Sequence, residues 1–421
     1  MDIDALYELY KQNSSVVTDT RKIKKGDVFF ALKGPIYNGN EYAKQALDLG
    51  AAFCIVDELV YEEERIILVN DALDTLQQLA KKHRSTFNIP FLAITGSNGK
   101  TTTKELIHAV LSTRYITSTT IGNLNNHIGI PLTILSIPPN AEIAIIEMGA
   151  NHLHEIRGYC TYANPTHGLI TNIGKAHIEG FGSEEGVKKA KGELFDHLRN
   201  ANGTAFVFAD QPALLDLSKA ISKVIMYGTD KADVAGRAVS TGFQLEVLVG
   251  EGLTIKTKLT GDYNLPNVLA AVTVGRFFKV DDADIKYALE SYAPTNSRSQ
   301  LIEQNSNKII MDAYNANPSS MKAAIENFAG LPGNKILILG GMMEMGENSL
   351  EEHATLVKLI NQYKWKQVVL VGKDFTDLPQ DFLHFDSSLS AREWYKKQVF
   401  TDTSILVKGS RSLQMEKVLQ D

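Results

Sequence analysis

At 421 residues the chain is too long for one ordinary hydrophobic core, so two or three domains are expected. Hydrophobic residues make up 44% and charged residues 22%, the balance of a globular protein, and a net charge of −6 leaves no basic footprint for nucleic acid. No apolar run approaches the roughly 20 residues needed to span a bilayer, and two cysteines are too few for a metal-thiolate site.

The N-terminal stretch MDIDALYELYKQNSS is acidic and amphipathic, unlike a signal peptide. Cys54 and Cys160 lie in mainly apolar or neutral surroundings and read as free thiols of a cytoplasmic protein. Apolar runs at Val28–Leu32, Ala52–Val56 and Arg65–Val69 predict strands, and Asp71–Ser85 predicts a helix ending before Asn88-Ile89-Pro90. Residues 1–85 thus form a small α/β domain. Over residues 86–297, strands predicted at Phe91–Thr95, Glu142–Met148, Gly168–Ile173, Thr204–Ala209 and Val224–Tyr227 alternate with helices, the pattern of a mostly parallel sheet covered on both faces. A hairpin over Phe243–Leu259, turning at Gly250-Glu251-Gly252, and a helix over Asp262–Phe278 complete this domain. Residues 298–421 carry apolar strands at Lys308–Asp312, Lys335–Leu339, Gln367–Val371 and Ser404–Val407, a second Rossmann-like sheet. The predicted fold class is α/β, in three domains.

The most informative segment is FLAITGSNGKTTTKE, Phe91–Glu105. A buried strand breaks at Gly96, and a helix is predicted from about Thr102. Glycines that turn backbone N–H groups inward, followed by a helix N-terminus, form a cradle for a polyphosphate from Thr95, Gly96, Ser97, Asn98, Gly99 and Thr102. Lys100 would reach the β- and γ-phosphates of ATP, and the Thr101 hydroxyl would hold Mg2+. A tight strand-to-helix turn would show the same glycines, and the general phosphate-loop pattern has glycine where this chain has Ile94.

Further polar residues follow strand ends, where ligands of open α/β sheets collect. Glu147 ends the second strand of the central domain and is a candidate metal ligand or a solvated carboxylate. His177 follows the next strand. Lys188, Lys189 and Lys191 share a probable helix and read by composition as a charged surface. Asn267, on the first turn of an apolar helix, contacts an adenine edge or caps the helix. In the third domain Asp312 and Asn315 follow a strand, with Ser319 and Ser320 expected to cap a helix from Met321. Arg298, just upstream, suits a transferring phosphate or an interdomain salt bridge.

Taken together, ITGSNGKTTTKE, Asp19-Thr20-Arg21, Asn123–Pro131 (NLNNHIGIP), EMGA at Glu147–Ala150, NIGKAHIEGFGS at Asn172–Ser183, AKGELF, GDYNLPN, DAYNANPSSM and LVKGSRSLQMEKV resemble the Mur ligase family over essentially the whole chain. DAYNANPSSM and KGSRS resemble the branch that adds D-alanyl-D-alanine to UDP-N-acetylmuramoyl-tripeptide. The resemblance implies ATP, two magnesium ions and an N-carboxylated (carbamylated) Lys191. It makes Glu147 and His177 metal ligands beside Thr101 and Lys191, Asn267 the adenine contact, and Arg298 the phosphate contact. Asp312 and Asn315 fall between ADP and the acceptor dipeptide, with Tyr314 nearby. Thr20 and Arg21 fall in the uridine-diphosphate pocket of the first domain, Asn125 and Asn126 on the sugar-peptide side, and Lys408 and Arg411 near the incoming dipeptide. Two departures stand out: Gly341 where the family often has Asp, and Asn38-Gly39-Asn40 where it often has Asp-Gly-His.

The implied reaction is phosphorylation of the tripeptide carboxylate to an acyl phosphate, then capture by the dipeptide amine, in a monomer with no nucleic-acid or membrane partner. The rivals are a ligase of the same superfamily adding the third stem residue or glutamates to folate, and a nucleotide-driven switch without ligase activity.

Overall fold

The computed structural model describes residues 1–420 apart from Ser14, Thr241, Asn296 and Gln380, and every count below is of these described residues. Three main sheets form in chain order, besides a two-stranded antiparallel ribbon of Lys33–Gly34 and Tyr37–Asn38. The first has four parallel strands in the order Val16–Val17, Val28–Phe30, Phe53–Val56, Ile66–Leu68. Asp71 caps the helix Ala72–Ser85 through its side chain, as an N-cap aspartate should.

The central sheet has nine strands. Phe91–Thr95 lies inside it, with Ile143–Glu147 and then Thr117–Thr119 on one side. On the other side run His167–Ile170, Thr204–Phe208, Lys223–Gly228 and Val234–Ala238, all parallel, and then the antiparallel pair Gln244–Val249 and Leu253–Thr260. Strand order therefore reverses at Phe91–Thr95, and the carboxyl end of such a strand opens into a crevice.

The third sheet has six strands in the order Gln300–Gln304, Asn307–Asp312, Thr403–Lys408, Asn334–Gly340, Gln367–Val371, Leu383–Phe385. Only the first pair is antiparallel. The molecule is thus a three-domain α/β protein.

Strand Phe91–Thr95 is buried along its length and alternates between two cores. Phe91 and Ala93 join an apolar cluster that reaches through Leu76 and Leu79 of helix Ala72–Ser85 to Val28, Phe30 and Ile55 of the first sheet. Leu92 and Ile94 face the opposite cluster, with Leu106, Ile107, Val268 and Leu269. The first two units thus share a continuous core. Buried Arg84 reinforces the seam: its guanidinium donates to the carbonyls of Phe87, Ala163 and Asn164, each at 3.0 Å, and stacks 3.7 Å from the Phe91 ring.

Two expected helix starts shift. The phosphate-loop helix runs Lys100–Leu111 rather than from Thr102, because left-handed Gly99 (φ 78°) makes the turn in one residue. The helix expected from Met321 with serine caps runs Pro318–Ala329 and is capped by Asn317. Asn317 Oδ1 accepts from Ser320 N at 2.9 Å, and Ser320 Oγ accepts from Asn317 N at 3.1 Å, a reciprocal capping box. Pro318 suits the first helical position, where no N–H is needed.

Candidate active site

At the carboxyl ends of the central strands lies a cavity of about 910 Å³ whose wall is completed by the third domain. Its floor is the glycine turn. Gly96 (φ 143°) passes so close to Thr171 that a Cβ would overlap the threonine hydroxyl, and a Cβ on Gly99 would sit 2.6 Å from Asn267 Oδ1. Glycine is required at both positions. The loop is clasped from the neighbouring strand: Asn98 N–H donates to Asn172 Oδ1 at 3.0 Å, and Ser97 Oγ donates to the Gly174 carbonyl at 3.0 Å. The first-turn amides of helix Lys100–Leu111 point from its N-terminus without intrahelical acceptors. Lys100 Nζ curls back onto the Gly96 and Ser97 carbonyls at 2.7 and 3.3 Å. Burial lowers its pKa, a shift opposed by Glu147 and reinforced by Arg298. This is an anion cradle.

Beside it, Glu147 Oε1 accepts from Thr101 Oγ1 at 3.1 Å and from Asn125 Nδ2 at 2.8 Å. Its Oε2 is buried without a hydrogen-bond partner. A desolvated carboxylate oxygen beside a hydroxyl and a phosphate cradle fits a magnesium ion, which favours oxygen ligands and keeps few carboxylates. Among the described residues no three His, Cys, Asp or Glu side chains cluster as a metal site, so the protein offers a partial coordination shell. Glu147 is also held from behind. Its N–H donates to Thr120 Oγ1 at 3.0 Å, and buried Lys104 donates to the Thr120 carbonyl at 2.5 Å.

Lys191 is not on the solvated surface that composition suggested. It is buried, donates to the Ala150 carbonyl at 2.9 Å and lies 4.9 Å from the centre of the Phe181 ring. Burial, and then nearby Lys100, hold its pKa well below the usual lysine value. Phe181 also meets His177 edge-on at 6.4 Å. His177 Nδ1 lies against the carboxylate of Glu344 of the third domain, and its proximity lowers that carboxyl's pKa.

Asn267 lines the cavity and does not cap its helix: Oδ1 accepts from Thr103 Oγ1 at 2.9 Å and Nδ2 donates to Asn264 Oδ1 at 2.8 Å. Asn125 faces Glu147, whereas Asn126 Oδ1 accepts from Gly129 N at 2.8 Å. From the third domain, Lys408 Nζ pairs with Asp312 Oδ2 at 2.6 Å in a nearly dry setting and also reaches the Asn315 carbonyl at 3.3 Å. Tyr314 has two guanidinium groups near its ring, Arg298 at 3.5 Å and Arg411 at 6.0 Å from the ring centre. The cavity therefore joins Ser97–Thr102, Asn125, Asn126, Glu147, His177, Asn267, Arg298, Asp312, Tyr314, Asn315, Lys408 and Arg411. Thr95, Gly96 and Lys191 sit behind its wall. Thr20 and Arg21 do not line it; Arg21 folds onto Asp19 at the surface of the first domain.

The two departures have structural explanations. Asn40 is buried, bonded through its side chain to Asn38 Oδ1, Asp57 Oδ1 and the N–H groups of Asp57 and Glu58, and so works inside its own domain. A side chain at Gly341 would overlap the Asp374 carboxylate, which already fills that space. Residues that sequence reasoning missed include Asn172, Ser319 and Glu344. Glu344, four residues past the end of strand Asn334–Gly340, carries the same strand-end signal as Glu147.

Three family models match in succession: "Mur ligase family, catalytic domain" over residues 13–84, "Mur ligase middle domain" over 94–275, and "Mur ligase, glutamate ligase domain" over 297–411. A UDP-N-acetylmuramoyl-tripeptide--D-alanyl-D-alanine ligase of Bacillus subtilis is 36% identical, with 96% of this chain and 92% of the relative covered. The enzyme so named in Escherichia coli is 34% identical, at 96% and 93% coverage. Among solved structures, MurF from Acinetobacter baumannii superposes with TM-score 0.89 at 27% identity, covering 99% of this chain and 97% of that one. MurF ligase from Thermotoga maritima in complex with ADP gives TM-score 0.87 at 28% identity, covering 98% and 97%. Matched from end to end by relatives above 30% identity, with all three units in order, the chain belongs to the Mur ligase family.

Proposed function

We infer that this chain joins D-alanyl-D-alanine to UDP-N-acetylmuramoyl-tripeptide, driven by ATP, giving UDP-N-acetylmuramoyl-pentapeptide, ADP and phosphate. The observation that carries the chemistry is the shared cavity, in which a phosphate cradle on the central domain faces the Asp312–Lys408 pair and Arg298 of the third. The full-length relatives named for this activity supply the substrates.

A carboxylate resists amine attack because it is negatively charged and oxide is no leaving group. The γ-phosphoryl group of ATP therefore moves to the terminal carboxylate of the tripeptide, forming an acyl phosphate. The amine of D-alanyl-D-alanine attacks the acyl carbon, and the tetrahedral adduct expels phosphate to leave an amide. Ser97–Thr102 hold the ATP phosphates on backbone N–H groups. Lys100 exchanges its loop carbonyls for phosphate oxygens, and Arg298 leaves the Tyr314 face to meet the transferring group. Thr101 and Glu147 would hold one magnesium ion, and His177 with a carbamylated Lys191 a second. Bound there, the ions supply positive charge to the phosphoryl oxygens. The lowered pKa of Lys191 supports the carbamate, since only the neutral amine adds carbon dioxide. Asn267 meets the adenine, Asn125 and Asn126 the tripeptide, Thr20 and Arg21 the uridine diphosphate. Asp312, Asn315, Lys408 and Arg411 receive the dipeptide. In domain terms, residues 1–85 hold the nucleotide-sugar, 86–297 ATP, and 298–421 the dipeptide. The protein acts as a monomer in the cytoplasm, consistent with two buried unpaired thiols, Cys54 and Cys160.

The test is phosphate release with ATP, Mg2+ and tripeptides carrying diaminopimelate or lysine. Release that requires D-alanyl-D-alanine supports the reading. Release that requires a free diamino acid or glutamate overturns it, as does hydrolysis indifferent to any amine.

A further inference from the structure

Glu344 has no role in the reaction described above, yet it is the third domain's contact with His177. Its loop is held to that domain at two successive amides. Met342 N–H donates to Nε2 of buried His353 at 2.9 Å, while His353 Nδ1 is 2.7 Å from the Ser349 carbonyl, which fixes the ring. Met343 N–H donates to Ser410 Oγ at 2.9 Å. Glu344 itself adopts a left-handed backbone (φ 63°), and so does His177 (φ 53°), a conformation costly for residues other than glycine. The two strained residues meet across the gap between domains. The Glu344 carbonyl faces Glu179 N at 3.5 Å, and a Cβ on Gly346 would touch Glu179 at 3.4 Å, so the turn fits closely against helix Ile178–Phe181.

We propose that Glu344 is a positioning residue: it takes the Nδ1 side of His177 and leaves Nε2 to face a divalent cation, so that this part of the site is complete only with the third domain docked. Histidine ligands commonly hand their second nitrogen to a carboxylate, which fixes ring orientation and tautomer. Here the carboxylate comes from a different domain, linking cation affinity to docking. By reciprocity, the cation then favours the docked arrangement by the same factor. The inference rests on His177 being a cation ligand.

The experiment titrates Mn2+ into the full chain with a non-hydrolysable ATP analogue, following free Mn2+ by electron paramagnetic resonance, with small-angle scattering on the same samples. Wild type, Glu344→Ala, His177→Ala and the double variant form a cycle, with thermal melting to verify folding. The expected result is roughly 10-fold weaker Mn2+ binding in Glu344→Ala, little further loss in the double variant beyond His177→Ala, and a smaller Mn2+-induced contraction. Partial recovery in Glu344→Gln, which still accepts from Nδ1–H, adds support. Losses that add in the double variant overturn positioning in favour of independent ligation. Unchanged affinity in Glu344→Ala alone overturns the inference and leaves His177 as ligand. Unchanged affinity in both single variants overturns the ligand reading of His177 as well.

Discussion

Lys100 contacts the two backbone carbonyls of its own loop, Gly96 and Ser97, in a setting that lowers its pKa. A charge held this way is ready to transfer to phosphate oxygens with little reorganisation, the arrangement that makes electrostatic catalysis effective. Lys100→Ala should lower kcat for amide formation about 100- to 1000-fold, measured by phosphate release, with melting temperature nearly unchanged. His167 offers a separate test of how burial tunes a titrating group. It is packed among Phe206, Phe277 and Phe278, and burial, with Lys223 nearby, lowers its pKa to about 4. The folded ring stays neutral while the unfolded one takes a proton below about 6.5. Its contribution is therefore intact above that pH and is lost as pH falls toward 4. At pH 5 the loss is about 2 kcal/mol. Urea midpoints at pH 7 and pH 5 should differ less in His167→Gln than in the wild type.

At the scale of elements, capping residues do more than end helices. Asn317 caps helix Pro318–Ala329 with its oxygen and donates through Nδ2 to Asn98 Oδ1 of the phosphate loop at 2.7 Å. Asn317→Ala should cost about 1 kcal/mol of stability, read by chemical denaturation, and raise KM for ATP more than for the dipeptide. Strands Phe91–Thr95 and Gln367–Val371 could be read from sequence to the residue, because apolar β-formers were bounded by Gly or Pro. Strands Thr117–Thr119 and Leu383–Phe385 escaped notice: both are sheet edges without full burial, so they carry no continuous apolar run. Val234–Ala238 was missed because Gly236 and Arg237 interrupt its pattern. In the site, residues at strand ends were legible because topology alone places them. The Asn98–Asn172 clasp and the His177–Glu344 pair were not, because each depends on packing between segments distant in sequence.

At the scale of the molecule, the third domain meets the central one through polar contacts and through Phe243 and Tyr263, which pack against the third domain's core. Ser319 Oγ accepts from Lys175 N at 3.0 Å, and Lys175 Nζ pairs with Glu352 at 2.9 Å. Polar contacts of this kind contribute about 0–1 kcal/mol each. The double variant Ser319→Ala/Lys175→Ala should show a larger radius of gyration than wild type by small-angle scattering with an ATP analogue and Mg2+, with each single change giving a smaller effect. The first two domains are joined more extensively, since the apolar cluster through Leu76, Leu79 and Phe91 runs across their boundary without a break. Limited proteolysis should expose that asymmetry. A nick in the connection before Ser299 should release an N-terminal fragment that still melts as a single cooperative body, whereas a cut beside Pro90 would divide one hydrophobic interior between two pieces and leave neither half able to stand alone.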